Sequence, residues 1–144
     1  MRPQSESLLS TVDVALMEEL TRFVTLIYIE FVRANDRSME AITVPVSEVQ
    51  SNRALVAGQI IKSFLQTANE KGDGAGIAML SRADLEELRE FISLLYLEIS
   101  VALLHGEREA TLPYNAVQEG RALAAAWFFR KLAYAAQRRI QKAA

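Results

Sequence analysis

The sequence contains no cysteine, a single histidine and only three prolines among its 144 residues. Without cysteine the chain forms no disulfide or thiolate zinc site, and its composition fits a reducing compartment. No apolar run approaches the roughly 18 residues of a membrane-spanning helix. We expect no signal peptide, because the apolar stretch that begins near Leu8 is soon interrupted by Asp13. These absences predict a cytoplasmic protein with no membrane span and no cofactor.

An excess of one charge is also missing. The 16 basic and 18 acidic residues leave a net charge of −2, which argues against a general binder of polyanions. At this length we expect a single domain, residues 1–144.

What the sequence does contain is a copy of itself, displaced by 68 residues. EELTRFVTLIYIEF from Glu18 matches EELREFISLLYLEI from Glu86, and TVPVSEVQSNRALVA from Thr43 matches TLPYNAVQEGRALAA from Thr111. A self-match at a fixed period predicts a repeated structural unit. We place the first repeat at about 13–72, the second at about 81–141, and a glycine-rich linker between them at about 71–78.

Each repeat has the pattern of a helical hairpin. From Asp13, which can cap a helix, apolar residues recur every three or four positions to about Ala34. After a connection that includes a possible short extended piece, Ser47 and Gln50 form the capping-box pattern of a second helix. The second copy repeats these signals. The sequence therefore predicts an all-α protein, an antiparallel four-helix bundle of two tandem hairpins with an approximate internal two-fold axis.

The first and third helices carry apolar residues on nearly every side, over 23–32 and 91–104. A helix that is apolar all round is normally buried all round. We expect these helices either in the middle of the bundle or at a surface covered by another chain. A homodimer is the simplest such assembly.

Two glutamates interrupt these apolar runs at matching positions, Glu30 and Glu98. Arg53 and Arg121 also match between the repeats. Because buried carboxylates need partners, we predict the ion pairs Glu30–Arg53 and Glu98–Arg121 within the hairpins. Exposure at a helix crossing is one alternative, and an interior polar site for a small molecule or metal is another. No metal is expected, because the Glu-x-x-His motif of di-iron bundles is absent.

The C-terminal helix combines basic and aromatic residues and has no acid beyond Arg121. Such a pattern is typical of solvated cations beside a packed core, and also of surfaces that bind proteins, nucleic acids or lipids. The candidate interaction surface consists of Trp127, Phe128, Arg130, Lys131, Arg138 and Arg139.

No set of residues matches a catalytic constellation, so we expect no catalytic residues. The leading hypothesis is a non-enzymatic helical module that binds a protein partner, as an adaptor, chaperone or regulator. The alternatives are a small-molecule or metal binder that uses interior carboxylates, and, less favoured, a nucleic-acid-binding regulator that uses the basic C-terminal helix.

Overall fold

The computed structural model of the chain describes residues 13–71 and 80–143. The predicted linker at about 71–78 lies, apart from its first residue, outside the described residues. Helices account for more than two-thirds of the chain, which confirms the predicted all-α class. The elements in chain order are α1 (Val14–Asp36), β1 (Ala41–Pro45), α2 (Glu48–Lys71), α3 (Arg82–Leu104), β2 (Glu109–Pro113) and α4 (Ala116–Ala143).

Polar side chains begin each helix, as the sequence predicts. The carboxylate of Asp13 accepts a hydrogen bond from the N–H of Ala15 at 2.9 Å, and Ser81 caps α3 in the same way. Ser47 and Asn115 cap α2 and α4. Each cap satisfies a backbone donor that has no partner inside the helix.

The two apolar helices, α1 and α3, end in the same backbone turn. The N–H of Met39 bonds the carbonyl of Ala34, and the N–H of Glu107 bonds that of Ala102. This six-residue closure, with a left-handed residue just before it, is the Schellman motif. The left-handed position is Gly106 in the second repeat (φ 71°) and its counterpart Ser38 in the first (φ 53°). Only the second repeat therefore has the residue that this turn favours.

Exchanging these two residue types should move stability in opposite directions. A side chain raises the energy of a left-handed residue, although glycine loses more backbone entropy on folding. We expect Ser38→Gly to stabilise the fold by about 0.5–1 kcal/mol and Gly106→Ser to destabilise it by a similar amount. Urea unfolding of the two variants measures both. Equal shifts in the same direction would contradict this account of the turn.

The four helices form the predicted antiparallel bundle, but their main contacts join the two halves of the chain. Helix α1 packs chiefly against α4, and α2 packs chiefly against α3. The hydroxyls of Ser51 and Ser100 lie 3.1 Å apart where α2 begins and α3 ends. At the other pair, the ring of Tyr114 packs against Phe31 where α4 begins and α1 ends. The two helices of each repeat thus make few contacts with each other, and each packs mainly against a helix of the other repeat.

Strands β1 and β2 join the halves a second time, as an antiparallel pair. The register places Ala41 opposite Pro113, with Thr43 opposite Thr111 at the centre. These two threonines are also equivalent in the 68-residue repeat. Inward side chains alternate with exposed ones, as the period of a strand requires. The internal two-fold axis itself stays a prediction.

Seven buried positions of α1 match seven buried positions of α3 under the 68-residue shift. Both helices therefore present one face to the core, and the first of the two alternatives, burial on all sides within this chain, is wrong. Large apolar side chains remain exposed on their outer faces: Leu26, Leu97, Val101 and Leu104 are 60%, 56%, 41% and 84% exposed. The core residues of α1 are Met17, Leu20, Phe23, Val24, Ile27, Phe31 and Ala34.

Candidate functional site: a groove between the first and last helices

A groove of about 710 Å³ lies between α1 and α4. Helix α1 contributes two threonines, a tyrosine and two charged residues, while α4 contributes mainly small, aromatic and basic residues. The residues that line it are Glu18, Thr21, Arg22, Thr25, Tyr28, Leu123, Ala126, Trp127, Arg130, Ala133, Tyr134 and Gln137. The alanines on α4 leave the groove open, because a methyl group fills little of the space between two helices.

Two cations are held against aromatic rings at this groove. The ammonium of Lys131 lies 5.5 Å from the ring centroid of Trp127, and the guanidinium of Arg130 lies 5.5 Å from that of Tyr134. Arg130 also donates a hydrogen bond to the hydroxyl of Tyr134 at 3.2 Å. Such cation–π contacts are worth about 0.5–1 kcal/mol at exposed sites. They hold positive charge beside partly exposed aromatic surface.

The structure divides the predicted interaction surface on α4. Arg130, Lys131 and Arg138 are exposed, and Trp127 is 38% exposed. Phe128 is fully buried, so its assignment to the surface is wrong. The physical reason is the helical period: Ala122, Ala125, Phe128, Leu132 and Ala136 recur every three or four residues and face the core. The side chain of Arg139 lies outside the described part of the chain.

The predicted ion pair between Glu30 and Arg53 is wrong, because each residue pairs with a different partner. Glu30 instead bonds Arg33 at 3.0 Å, one turn along the same helix. Arg53 donates to Glu19 at 2.7 Å and to Gln50 at 2.8 Å.

The short strand explains why Arg53 lies beside Glu19 and not beside Glu30. β1 runs back beside the middle of α1, where Val44 and Pro45 share a hollow with Phe23 and Glu30. Five residues of strand span about 17 Å. Helix α2 therefore starts beside the middle of α1 and not beside the C-terminal end of α1. From Glu30 to Glu19 along α1 is also about 17 Å, so Arg53 meets the level of Glu19.

In the second repeat too, the arginine lies nearer the start of the preceding helix than predicted, but its contact with a carboxylate is longer. Arg121 approaches Glu90 at 3.9 Å and does not pair with Glu98. It also donates to Gln118 at 3.4 Å. Its Nε atom is buried and has no hydrogen-bond partner within residues 13–71 and 80–143. The two equivalent arginines therefore differ, because only Arg53 makes a short contact with a carboxylate.

This difference predicts unequal losses on truncation. Arg53→Ala should destabilise the fold by about 1 kcal/mol, because it removes a charged hydrogen bond at a partly exposed site. Arg121→Ala should cost less than about 0.5 kcal/mol. Denaturant unfolding measures both. A double-mutant cycle should give coupling between Glu19 and Arg53 and none between Glu30 and Arg53; coupling in the second cycle alone would overturn the assignment.

The predicted interior polar site requires that Glu30 and Glu98 be buried, and neither is. Glu30 is 38% exposed and Glu98 is only partly buried. In the part of the chain that the structure describes, no group of three or more histidine, aspartate or glutamate side chains could hold a metal ion. Neither carboxylate therefore lines an enclosed interior site.

Sequence reasoning did not identify Tyr28, Leu123 or Tyr134 as site residues. A signal was present for two of them: Tyr28 and Leu123 are identical to their repeat counterparts, Tyr96 and Leu55. All four side chains are at least partly exposed, so their identity is not explained by the core. Tyr134 has no such signal, because its counterpart is Gln66.

Comparison with family models, curated proteins and solved structures finds no match to this chain. None of the helices in the described ranges has the length and apolar content needed to cross a membrane.

Proposed function

We propose that this chain is a non-enzymatic protein-interaction module that holds an acidic amphipathic helix of a partner in the groove between α1 and α4. One observation carries the proposal: the groove places partly exposed aromatic surface, from Tyr28, Trp127 and Tyr134, beside cations. Tyrosine, tryptophan and arginine are the residues most enriched among binding hot spots.

The shape of the groove favours a helical segment over a compact small molecule. Its lining extends from Glu18 to Tyr28 on α1 and from Leu123 to Gln137 on α4. These stretches correspond to about 15 and 21 Å along the two helix axes. A helix of about 14 residues is equally long. Its apolar face would lie in the groove, which is a common mode of peptide recognition.

The charge of the groove indicates the chemistry of that helix. From Arg121 to Arg138, helix α4 carries four cations and no acid, although the whole chain has a net charge of −2. Among the described residues, Glu18 is the one acid that lines the groove, at the end where α1 begins. Glutamates on the flanks of the partner helix would meet Arg130 and Lys131. Complementary charge of this kind accelerates association and sets orientation.

Trp127 provides the test, because it is the only tryptophan in the chain and it lies in the groove. The probe is a capped helical peptide of about 14 residues, with leucines on one face and glutamates on its flanks, here called the acidic peptide. On titration we expect a saturable blue shift of tryptophan emission, because the peptide excludes water from the indole ring. Added salt should weaken the binding through screening.

A peptide with lysine in place of each glutamate is the matched control and should bind much more weakly. Equal binding of both peptides would contradict the assigned partner charge. No response to either peptide would overturn the proposal. A salt-sensitive response to a single-stranded oligonucleotide alone would assign the groove to nucleic acid instead.

Self-association is a second candidate, favoured by the outer face of α3. Leu97, Val101 and Leu104 recur at spacings of three and four, and all three are exposed. Exposed apolar stripes of this kind mark contact surfaces. If two copies pair through α3, light scattering should give twice the 16.1 kDa chain mass at high micromolar concentration, and Leu97→Glu with Leu104→Glu should restore the monomer. A monomer at every concentration would end this candidate.

A further inference from the structure

A smaller groove, of about 200 Å³, lies between the other helix pair, α2 and α3. Seven of its nine lining residues match lining residues of the first groove under the 68-residue shift. Three of the matched pairs keep their chemistry: an exposed leucine, a cation two turns further along the same helix, and a tyrosine on the facing helix. These pairs are Leu55 with Leu123, Lys62 with Arg130, and Tyr96 with Tyr28.

The second groove lacks the large anchor of the first. Gln59 occupies the position of Trp127, and Gly58 that of Ala126. A Cβ atom built at Gly58 would lie 3.7 Å from the side chain of Ile92, which is ordinary contact. The glycine is thus not required by close packing of the two helices.

The charge of the second groove is uniform. Lys62 and Arg89 are the charged residues among the described side chains that line it, and both are basic. The lining of the first groove includes an acid, Glu18, as well as Arg22 and Arg130. An acidic segment therefore meets no repulsive side chain in the lining of the second groove.

From this equivalence we infer that the chain is bivalent: the groove between α2 and α3 is a second docking site for an acidic amphipathic helix. The inference rests on the function proposed for the first groove. The second site binds at least tenfold more weakly, because it has no aromatic anchor at the position of Trp127. A partner with two such segments in tandem gains affinity by engaging both grooves, provided that its linker spans them.

The test follows amide signals by NMR while the acidic peptide is added to the whole chain. Signals from α4 beside Trp127, together with tryptophan emission, should saturate first. Signals from Leu55 to Lys62 and from Ser93 to Tyr96 should shift later, with at least a tenfold higher dissociation constant.

Matched charge reversals separate the two sites. Lys62→Glu with Arg89→Glu should abolish the second set of shifts and change the first dissociation constant less than twofold. Arg130→Glu, at the position equivalent to Lys62, should weaken the first event and leave the second. All three side chains are exposed, and thermal unfolding checks that each variant is folded.

The possible failures are distinct. Saturation of the first groove with no shift in α2 and α3 would overturn bivalency and leave the proposed function standing. Persistence of the second set of shifts in the double reversal would also overturn it. Absence of every response would overturn both.

Discussion

Phe128→Ala should destabilise the protein by about 3–5 kcal/mol, the typical loss for a large aromatic side chain removed from a core. Phe128 is fully buried, and its ring makes edge contacts with Phe64 and Phe129 at centroid distances of 5.6 and 5.2 Å. Truncation leaves a cavity that these neighbours cannot fill. Because whole domains are stable by only about 5–15 kcal/mol, the midpoint of urea unfolding should fall sharply.

The adjacent residue is the control for this experiment. Trp127→Ala should cost less than about 1 kcal/mol, because the indole ring is partly exposed and lines the groove. A loss at Trp127 as large as that at Phe128 would show that the indole ring belongs to the core. It would also remove the anchor of the proposed binding site.

Trp127→Ala should instead weaken binding of the acidic peptide by roughly 30-fold, which corresponds to about 2 kcal/mol for an aromatic hot spot. The variant has no tryptophan, so its affinity must be measured by fluorescence anisotropy of a labelled peptide.

Val117→Ala is the matched control for that loss. Val117 lies on the same helix, is 59% exposed and does not line the groove, so its truncation should leave the affinity within twofold. A similar loss in both variants would indicate a general effect on α4. An unchanged affinity in Trp127→Ala would remove the groove from the binding surface.

The helices were predictable because their signals are local. Asp13, Ser47, Ser81 and Asn115 can each satisfy a backbone donor of the turn that follows. The buried face of each helix follows from the spacing of its apolar residues. These properties depend on residues no more than a turn or two apart, so a single sequence contains them.

The ion pairs were not predictable at that level. The sequence marks Glu30, Arg53, Glu98 and Arg121 as repeated, but their partners depend on how far β1 and β2 carry the chain back along the preceding helix. That distance depends on pairing between strands that lie 68 residues apart. Local patterns contain no information on such a displacement.

The groove was predictable only in part. Basic and aromatic residues on α4 marked one of the two helices that form the groove, and three of the six chosen side chains, Trp127, Arg130 and Lys131, lie in or beside it. Phe128 was misplaced because consecutive residues on a helix point about 100° apart. A small error in the assumed rotation of the helix about its axis therefore assigns a buried side chain to the surface. The opposite wall could be assigned only once α1 was known to pack against α4.

Pairing of the first helix with the last has a consequence for the chain as it is synthesised. The aromatic face of α1, with Phe23 and Phe31, is completed early, whereas α4 is made after the other three described helices. At the usual 5–20 residues per second, roughly 5–20 s separate the two events. During that interval the nascent α1 has no permanent cover, and its apolar face can associate with other nascent chains. We therefore expect the nascent chain to depend more on protection of this face than a bundle of self-contained hairpins would.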